Sequence, residues 1–511
     1  MRKVFPTGNV PSVAVIGAGF GGIAAAVALK RAGVHDITIY DKASGVGGTW
    51  WLNRYPGAEV DTPSVLYSYS FRPGVWSRTH VKQAELQSYM DAVVKEYGLD
   101  RHLRLSTQVI RVAWDDARQR YDLTFASGEI EHANVVVSAV GLLDDPRYPE
   151  WPGLESFAGP VFHTARWEDR HDLAGKRVVV VGTGSTAAQL VPNLAPIAQS
   201  VTLFQRDPGW VVPKFGRDLT SKERTALGSS IAQRFVRTKM MWERDKFLNG
   251  AKPFRPGTPQ NSAAERVARG YIDAVFKDRP EIRDAVTPKY PYGGKRPIIA
   301  DDYYPALLRD NVKLVPRAVT RVTPTGVVDV DGVEHEADVL ILATGFKPAD
   351  FLSTLEVVGP SGASLQDVWK DEPEAFLGLM VPGFPNFFML YGPNTNGGAI
   401  VTMLELQAKY VASAVAFMAR WRYTRIDVKQ WAMERFNKVL QQRLSGTVWA
   451  EYENNYYKSP QGKIVTQWPE GAILYGALTK ALRRAVWRSH RGPAGAMAAP
   501  PSAARSLDSV R

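Results

Sequence analysis

Among 511 residues there is no cysteine, so the chain cannot pass electrons through a redox-active cysteine pair. It has no uninterrupted apolar run of the roughly 18 residues that a membrane-crossing helix needs. It carries no module motif for nucleic acid, and none is expected as a partner. The opening Met1-Arg2-Lys3-Val4-Phe5-Pro6 leads straight to a strand-like segment and leaves no room for a secretory signal, which makes a cytoplasmic setting the expectation. Charge is not spread evenly: of the net +12, the last 32 residues supply +6 through Lys480, Arg483, Arg484, Arg488, Arg491, Arg505 and Arg511 against Asp508. The body is therefore only mildly basic, as binding a polyanionic small molecule would require. The length exceeds what a single core serves and implies about two to four domains.

What is present is a pair of glycine fingerprints 165 residues apart. The first, Gly17-x-Gly19-x-x-Gly22, follows the apolar Val13-Ala14-Val15-Ile16 and precedes a helix-like Ile23-Ala24-Ala25-Ala26-Val27-Ala28-Leu29. The second, Gly182-x-Gly184-x-x-Ala187, follows Val178-Val179-Val180-Val181. In each, a buried parallel strand, a tight turn and a helix N-terminus make a seat for a pyrophosphate. One such pattern is weak; two in matching context are strong. In each unit the residue 24 positions after the first glycine meets the adenosine ribose: Asp41 in the first, Arg206 in the second. A carboxylate accepts hydrogen bonds from free ribose hydroxyls, whereas a guanidinium suits a 2′-phosphate. This predicts one FAD and one NADPH on a single chain. The fold class expected is α/β, with two Rossmann-like dinucleotide-binding domains and a helical insertion in the NADP domain.

Composition shifts place the boundaries. Residues 1–150 read as the first part of an FAD domain, closing on the strand Val135-Val136-Val137-Ser138 and a proline-rich linker, Asp144 to Gly153. The NADP domain takes 151–215 and resumes over 293–345. Between them, 216–292 reads as a helical insertion, with Thr220-x-x-Glu223 and Ser262-x-x-Glu265 as capping boxes. The FAD domain returns over 346–490, and 491–511 reads as a disordered basic tail. Ahead of it, residues 479–488 are expected to form a helix with Leu482, Val486 and Trp487 to one side and arginines on the others. That helix either docks on the core or makes weak contact with an anionic membrane surface.

The chain resembles the type I Baeyer–Villiger monooxygenases. Phe157-x-Gly159-x-x-x-His163-x-x-x-Trp167 matches that family's signature before the second fingerprint. Gly47-Gly48-x-Trp50-x-x-x-x-Tyr55-Pro56-Gly57-x-x-x-Asp61 matches a second signature at every fixed position, and Ala343-Thr344-Gly345 a third, shared with flavin monooxygenases generally. The resemblance implies that NADPH and O₂ are used to convert a ketone to an ester or lactone through a C4a-peroxyflavin. Such chemistry needs a fixed cation to hold the peroxide anionic and to stabilise the oxygen of the tetrahedral adduct. By resemblance the cation is Arg296, oriented by Asp61, with Lys295 near the NADP phosphate. Taken alone, Lys295-Arg296 reads as a solvated loop pair, and Asp61 before Thr62-Pro63 as a helix N-cap.

Further contacts follow the motifs. Gly48, Thr49, Trp50 and Tyr67 are expected along the FAD, with the Val109 backbone meeting the adenine. Ser185, Thr186 and Gln189 are expected to face the NADP phosphates. His163 reads as structural at the domain junction. Three positions depart from the family: Glu59 where a basic residue is common, Glu168, and Tyr456 in place of a loop tryptophan. Two rival functions remain at this level: oxidation of sulfur or nitrogen heteroatoms, and a flavin/NADP redox sensor without oxygen transfer. Trp167 speaks against the first, and Arg296 with Asp61 against the second. No metal is expected. The identity of the ketone and the oligomeric state are not legible.

Overall fold

The structure, a computed structural model, describes residues 10–453 and 455–492. Two five-stranded parallel sheets organise it. The first has the order Phe387–Met389, Val135–Ser138, Val13–Ile16, Ile37–Tyr40, Leu103–Arg104. The second has the order Val312–Val315, Ser200–Phe204, Arg177–Val181, Val339–Leu342, Val161–His163. In both, the fingerprint leaves the central strand. The chain then moves outward on one side before crossing to the other, which makes a switch-point crevice at the strands' carboxyl ends.

The apolar runs behave as strands covered on both faces. Val13-Ala14-Val15-Ile16 is buried throughout, without alternation. In the second sheet the two faces separate cleanly. Val178 and Val180 pack with Ala187, Leu190 and Tyr304, while Val179 and Val181 pack with Val322 and Val327 of an antiparallel hairpin layer. The chain leaves the first sheet through residues 144–147 and returns through 343–347, and these crossings lie side by side. Arg147 N–H donates to the Gly345 carbonyl at 2.8 Å, and Lys347 pairs with Asp145 at 3.4 Å.

Helices fill the stretch between the two halves of the second sheet. Thr220 and Glu223 form the expected reciprocal cap on Ser221–Gly228. The second expected box is corrected: Pro259–Val275 starts earlier, capped by Thr258, and Ser262 lies inside it. Pro259 in the first turn lacks an N–H that would have gone unpaired there, so the earlier start is favoured. Glu265 instead pairs with Arg269 at 2.7 Å. The long helix Ser230–Leu248 is fastened to the first sheet's side of the molecule. Arg237 donates to the Val65 and Ser68 carbonyls at 2.8 and 2.7 Å, and Asp245 accepts from the N–H groups of Ala472 and Ile473, opening the helix Ala472–Ala481.

The continuous C-terminal helix over 479–488 is also corrected. The helix Arg483–Val486 ends there, and Trp487–His490 pairs antiparallel with Arg425–Val428. Burial decides this: Trp487 donates from Nε1 to the Tyr410 hydroxyl at 2.7 Å, inside the core. The apolar side of this segment is therefore spent on the core around the first sheet. The tail expected over 491–511 lies outside the described residues beyond Gly492, and the leader-free start expected at the N-terminus lies outside them before Val10. Among the described residues one helix, Ile400–Trp421, is long and apolar enough by composition to cross a membrane. It packs against Phe20–Arg31, and its buried Glu405 accepts from Ser70.

Candidate active site

Both fingerprints open onto one cavity of 820 Å³. Gly17, Gly19, Asp41, Gly48, Thr49, Trp50, Asp61, Tyr67 and Val109 line it from the first sheet's side. Gly184, Ser185, Thr186, Gln189 and Arg296 line it from the second. Gly22, Gly182, Arg206 and Lys295 are not on its wall. For two of these the turn geometry gives the reason. A Cβ on Gly22 would meet the Gly17 carbonyl oxygen at 1.8 Å, and one on Gly182 would meet the Ala343 oxygen at 2.3 Å. These glycines let backbone approach backbone. Gly184 differs, since a Cβ there meets nothing within 4 Å. Its missing side chain leaves room for an incoming ligand. The cavity, the open helix N-terminus at Ser185–Leu194 and the tight turn at Gly17 fit two dinucleotides.

The charges around the cavity are arranged with purpose. Asp41 accepts from the N–H groups of Ala18 and Ala43 at 2.6 and 2.8 Å, and burial raises its pKa against those bonds. Arg296 reaches Asp61 at 3.4 Å; the carboxylate side chain is 13% exposed and the guanidinium 50%, facing the cavity. Burial opposes the charge on Arg296, yet Asp61, with Tyr456, Tyr391 and Tyr457, holds its pKa above the ordinary value. The other oxygen of Asp61 accepts from Gln189 at 3.3 Å. Gln189 also accepts from the Tyr55 hydroxyl at 2.8 Å and donates to the Glu59 carbonyl at 3.0 Å. Its amide thus ties the second fingerprint's helix to the Gly47–Asp61 motif. No helix follows Asp61-Thr62-Pro63, so the N-cap alternative for Asp61 falls away.

Trp50 donates from Nε1 to the Tyr67 hydroxyl at 3.0 Å, and their rings meet edge to face; burial pushes the Tyr67 phenol up to about 12. The two form one apolar wall. Glu59, the departure from the family, is neutralised by Lys214, whose side chain is 3% exposed. The acidic departure is thus cancelled within the chain, leaving no net charge at that place. Tyr456 lines the cavity beside Tyr457. His163 is buried, accepts from the Ala165 N–H at 3.1 Å, and is pushed down to about 4 by burial, so it stays neutral. Lys295 and Arg206 both reach Asp207, at 3.1 and 3.3 Å. Asp207 was missed by sequence reasoning, although it directly follows Arg206. Arg244 was missed too: it lines the cavity from the helical stretch, and no motif marks it.

The comparisons agree with this geometry. Residues 14–229 match a family model described as pyridine nucleotide-disulphide oxidoreductase. With no cysteine in the chain, that match speaks to the nucleotide fold and not to a disulphide relay. A Baeyer–Villiger monooxygenase of Streptomyces coelicolor is 38% identical, over 89% of this chain and 88% of that protein. Another, of Pseudomonas aeruginosa, is also 38% identical, over 92% and 89%. Among solved structures, an oxidized steroid monooxygenase bound to NADP superposes with a TM-score of 0.86 at 28% identity, covering 94% of this chain and all of that one. Cyclohexanone monooxygenase from Rhodococcus sp. Phi1 bound to NADP+ gives 0.85 at 31% identity, over 95% and 100%. Two nucleotide turns facing one cavity, an arginine–aspartate pair on its wall and kinship over nine-tenths of the length lead to one conclusion: the chain belongs to the Baeyer–Villiger monooxygenases.

Proposed function

We propose that this enzyme inserts one atom of dioxygen beside a ketone carbonyl, giving an ester or lactone at the expense of NADPH, with Arg296 as the catalytic cation and Asp61 as its positioning partner. Bound FAD supplies the reduced flavin at which dioxygen is activated. The first fingerprint, with Asp41, holds the adenosine end of that cofactor; Gly48, Thr49, Trp50 and Tyr67 flank its length. Gly184, Ser185 and Thr186 hold the NADPH pyrophosphate, and Arg206 with Lys295 meets the 2′-phosphate. The observation that carries the reading is the Arg296–Asp61 pair, facing a cavity that both turns share. A guanidinium cannot lose its proton near neutral pH, so it presents a constant positive charge to an oxygen gaining negative charge. Trp50 and Tyr67 line the same cavity as that charge. We place the enzyme in the cytoplasm, a reading supported by the packing of Ile400–Trp421 into the core.

The test is product analysis with the FAD-loaded enzyme, NADPH, O₂ and a panel of linear, cyclic, aromatic and steroidal ketones. One ester or lactone per NADPH is the expected result; hydrogen peroxide alone, or oxidation only of sulfides and amines, overturns it. Arg296→Ala should keep FAD and NADPH-dependent flavin reduction while ester formation falls by about 10²–10³-fold. Undiminished ester formation removes Arg296 from the mechanism.

A further inference from the structure

Arg244 is a cavity-lining charge that neither fingerprint explains. It projects from Ser230–Leu248, a helix held in place at Arg237 and Asp245. Among the described residues its guanidinium makes one hydrogen bond, from Nη2 to the Gly398 carbonyl at 2.9 Å, and its Nε is buried with no partner. A neutral carbonyl does not balance a buried cation, and an unused buried donor is costly. Burial lowers the pKa of Arg244 and the like charge of Arg296 lowers it further, with Asp245 opposing. Yet the Asp245 carboxylate is already taken by the N–H groups of Ala472 and Ile473, at 3.1 and 2.7 Å. Around Arg244 the wall is apolar: Phe247, Leu248, Ile400 and Trp468 face the same cavity. The site therefore offers a carbon chain a dry wall and, at one point, two uncommitted N–H directions of a fixed cation. A guanidinium in that state matches a carboxylate, which accepts two parallel hydrogen bonds from it.

We propose that Arg244 anchors a carboxylate on the substrate, so that the preferred ketones are keto acids whose acid group lies remote from the carbonyl. This rests on the oxygenase reading above and adds the substrate class to it. Arg296 meets the reacting oxygen; Arg244 meets the far end and fixes which carbon faces the flavin. A keto acid also supplies the counter-charge that Arg244 lacks, Arg296 being paired already with Asp61.

The experiment compares methyl n-hexyl ketone with a series of linear methyl-keto acids, the carboxylate being moved one methylene at a time. Wild-type holoenzyme, Arg244→Met and Arg244→Lys are each assayed for kcat and KM. Binding is read separately, from the flavin absorbance change as each ketone is titrated into oxidised holoenzyme with NADP⁺. In wild type one chain length should be preferred over the neutral ketone. In Arg244→Met that preference should collapse by roughly ten- to a hundred-fold, chiefly through KM and the titrated affinity, and Arg244→Lys should recover part of it. Three results overturn the anchor: no preference for any keto acid in wild type, equal losses for the acids and the neutral ketone, or a loss confined to NADPH affinity. If no ketone is oxygenated, the oxygenase reading fails. The titration still decides whether keto acids bind through Arg244.

Discussion

The two nucleotide-binding turns begin alike and diverge within five residues. Gly17 and Gly182 both adopt positive φ, +110° and +114°, and each sets its backbone against a carbonyl from a neighbouring crossing, Ala139 or Ala343. At the third fingerprint position the first turn closes on Gly22, where not even a methyl fits, while the second accommodates the buried Ala187. At the ribose position the contrast widens. Asp41 is fixed by two backbone N–H groups before any ligand arrives. Arg206 is 73% exposed and pairs with Asp207, which Lys295 shares from 88 residues further along the chain. The first site is preorganised and suits a cofactor that stays. The second keeps the cations proposed for the phosphate, an exposed Arg206 and a half-buried Lys295, paired through one carboxylate, as suits a nucleotide that must come and go each turnover.

The sharpest way to break this comparison is to add volume at matching places. Gly22→Val should abolish FAD binding and most soluble protein, because the clash is with backbone that has nowhere to go. Gly184→Ala should leave FAD content and melting temperature near wild type and show itself only as a raised KM for NADPH. Flavin content after purification and thermal melts would check both. If Gly22→Val retains FAD, the first turn is not the tighter of the two.

A smaller effect is expected from charge. Arg206→Ala should cost about ten-fold in NADPH affinity and little for NADH, at the low end of the range for a charge-assisted phosphate contact because solvent screens an exposed guanidinium. Lys295→Ala added to it should cost more than either change alone. Equal losses for NADPH and NADH would make Arg206 structural, and the contrast with Asp41 would lose its meaning. The smallest effect belongs to the basic C-terminus. Truncation after Gly492 should leave turnover of a water-soluble ketone within about two-fold, since Val486 and Trp487 already anchor the last strand. Any attraction of the full-length protein to anionic vesicles should vanish at moderate salt, because only charge is left to supply it. Salt-resistant cosedimentation would contradict that.

Much of this was legible in the chain because the signals are local. A strand, a glycine turn and a helix N-terminus lie within about a dozen residues, and backbone sterics alone fix their shape. The charge after the second strand is likewise set by a fixed spacing, so Asp41 and Arg206 were found by counting. The Gly47–Asp61 and Phe157–Trp167 motifs carried the kinship, and with it Arg296. The misplaced box at Ser262 and the overlong helix past Val486 show where local signals fail: a proline three residues upstream competes for the helix start, and a buried tryptophan pulls the chain into a strand.

The amino-acid sequence by itself marked the two nucleotide turns, from which the FAD and NADPH reading came, and excluded a thiol relay. Only the tertiary structure decided what surrounds the reaction. It brought Asp61 and Arg296 together across 235 residues of chain, set Gln189 behind the carboxylate, and answered Glu59 with Lys214. It also carried Arg244, on a helix with no motif, into the wall of the same cavity. Such pairings depend on how separate elements pack. Charges in a low-dielectric crevice interact by distance in space, which no spacing along the chain reveals.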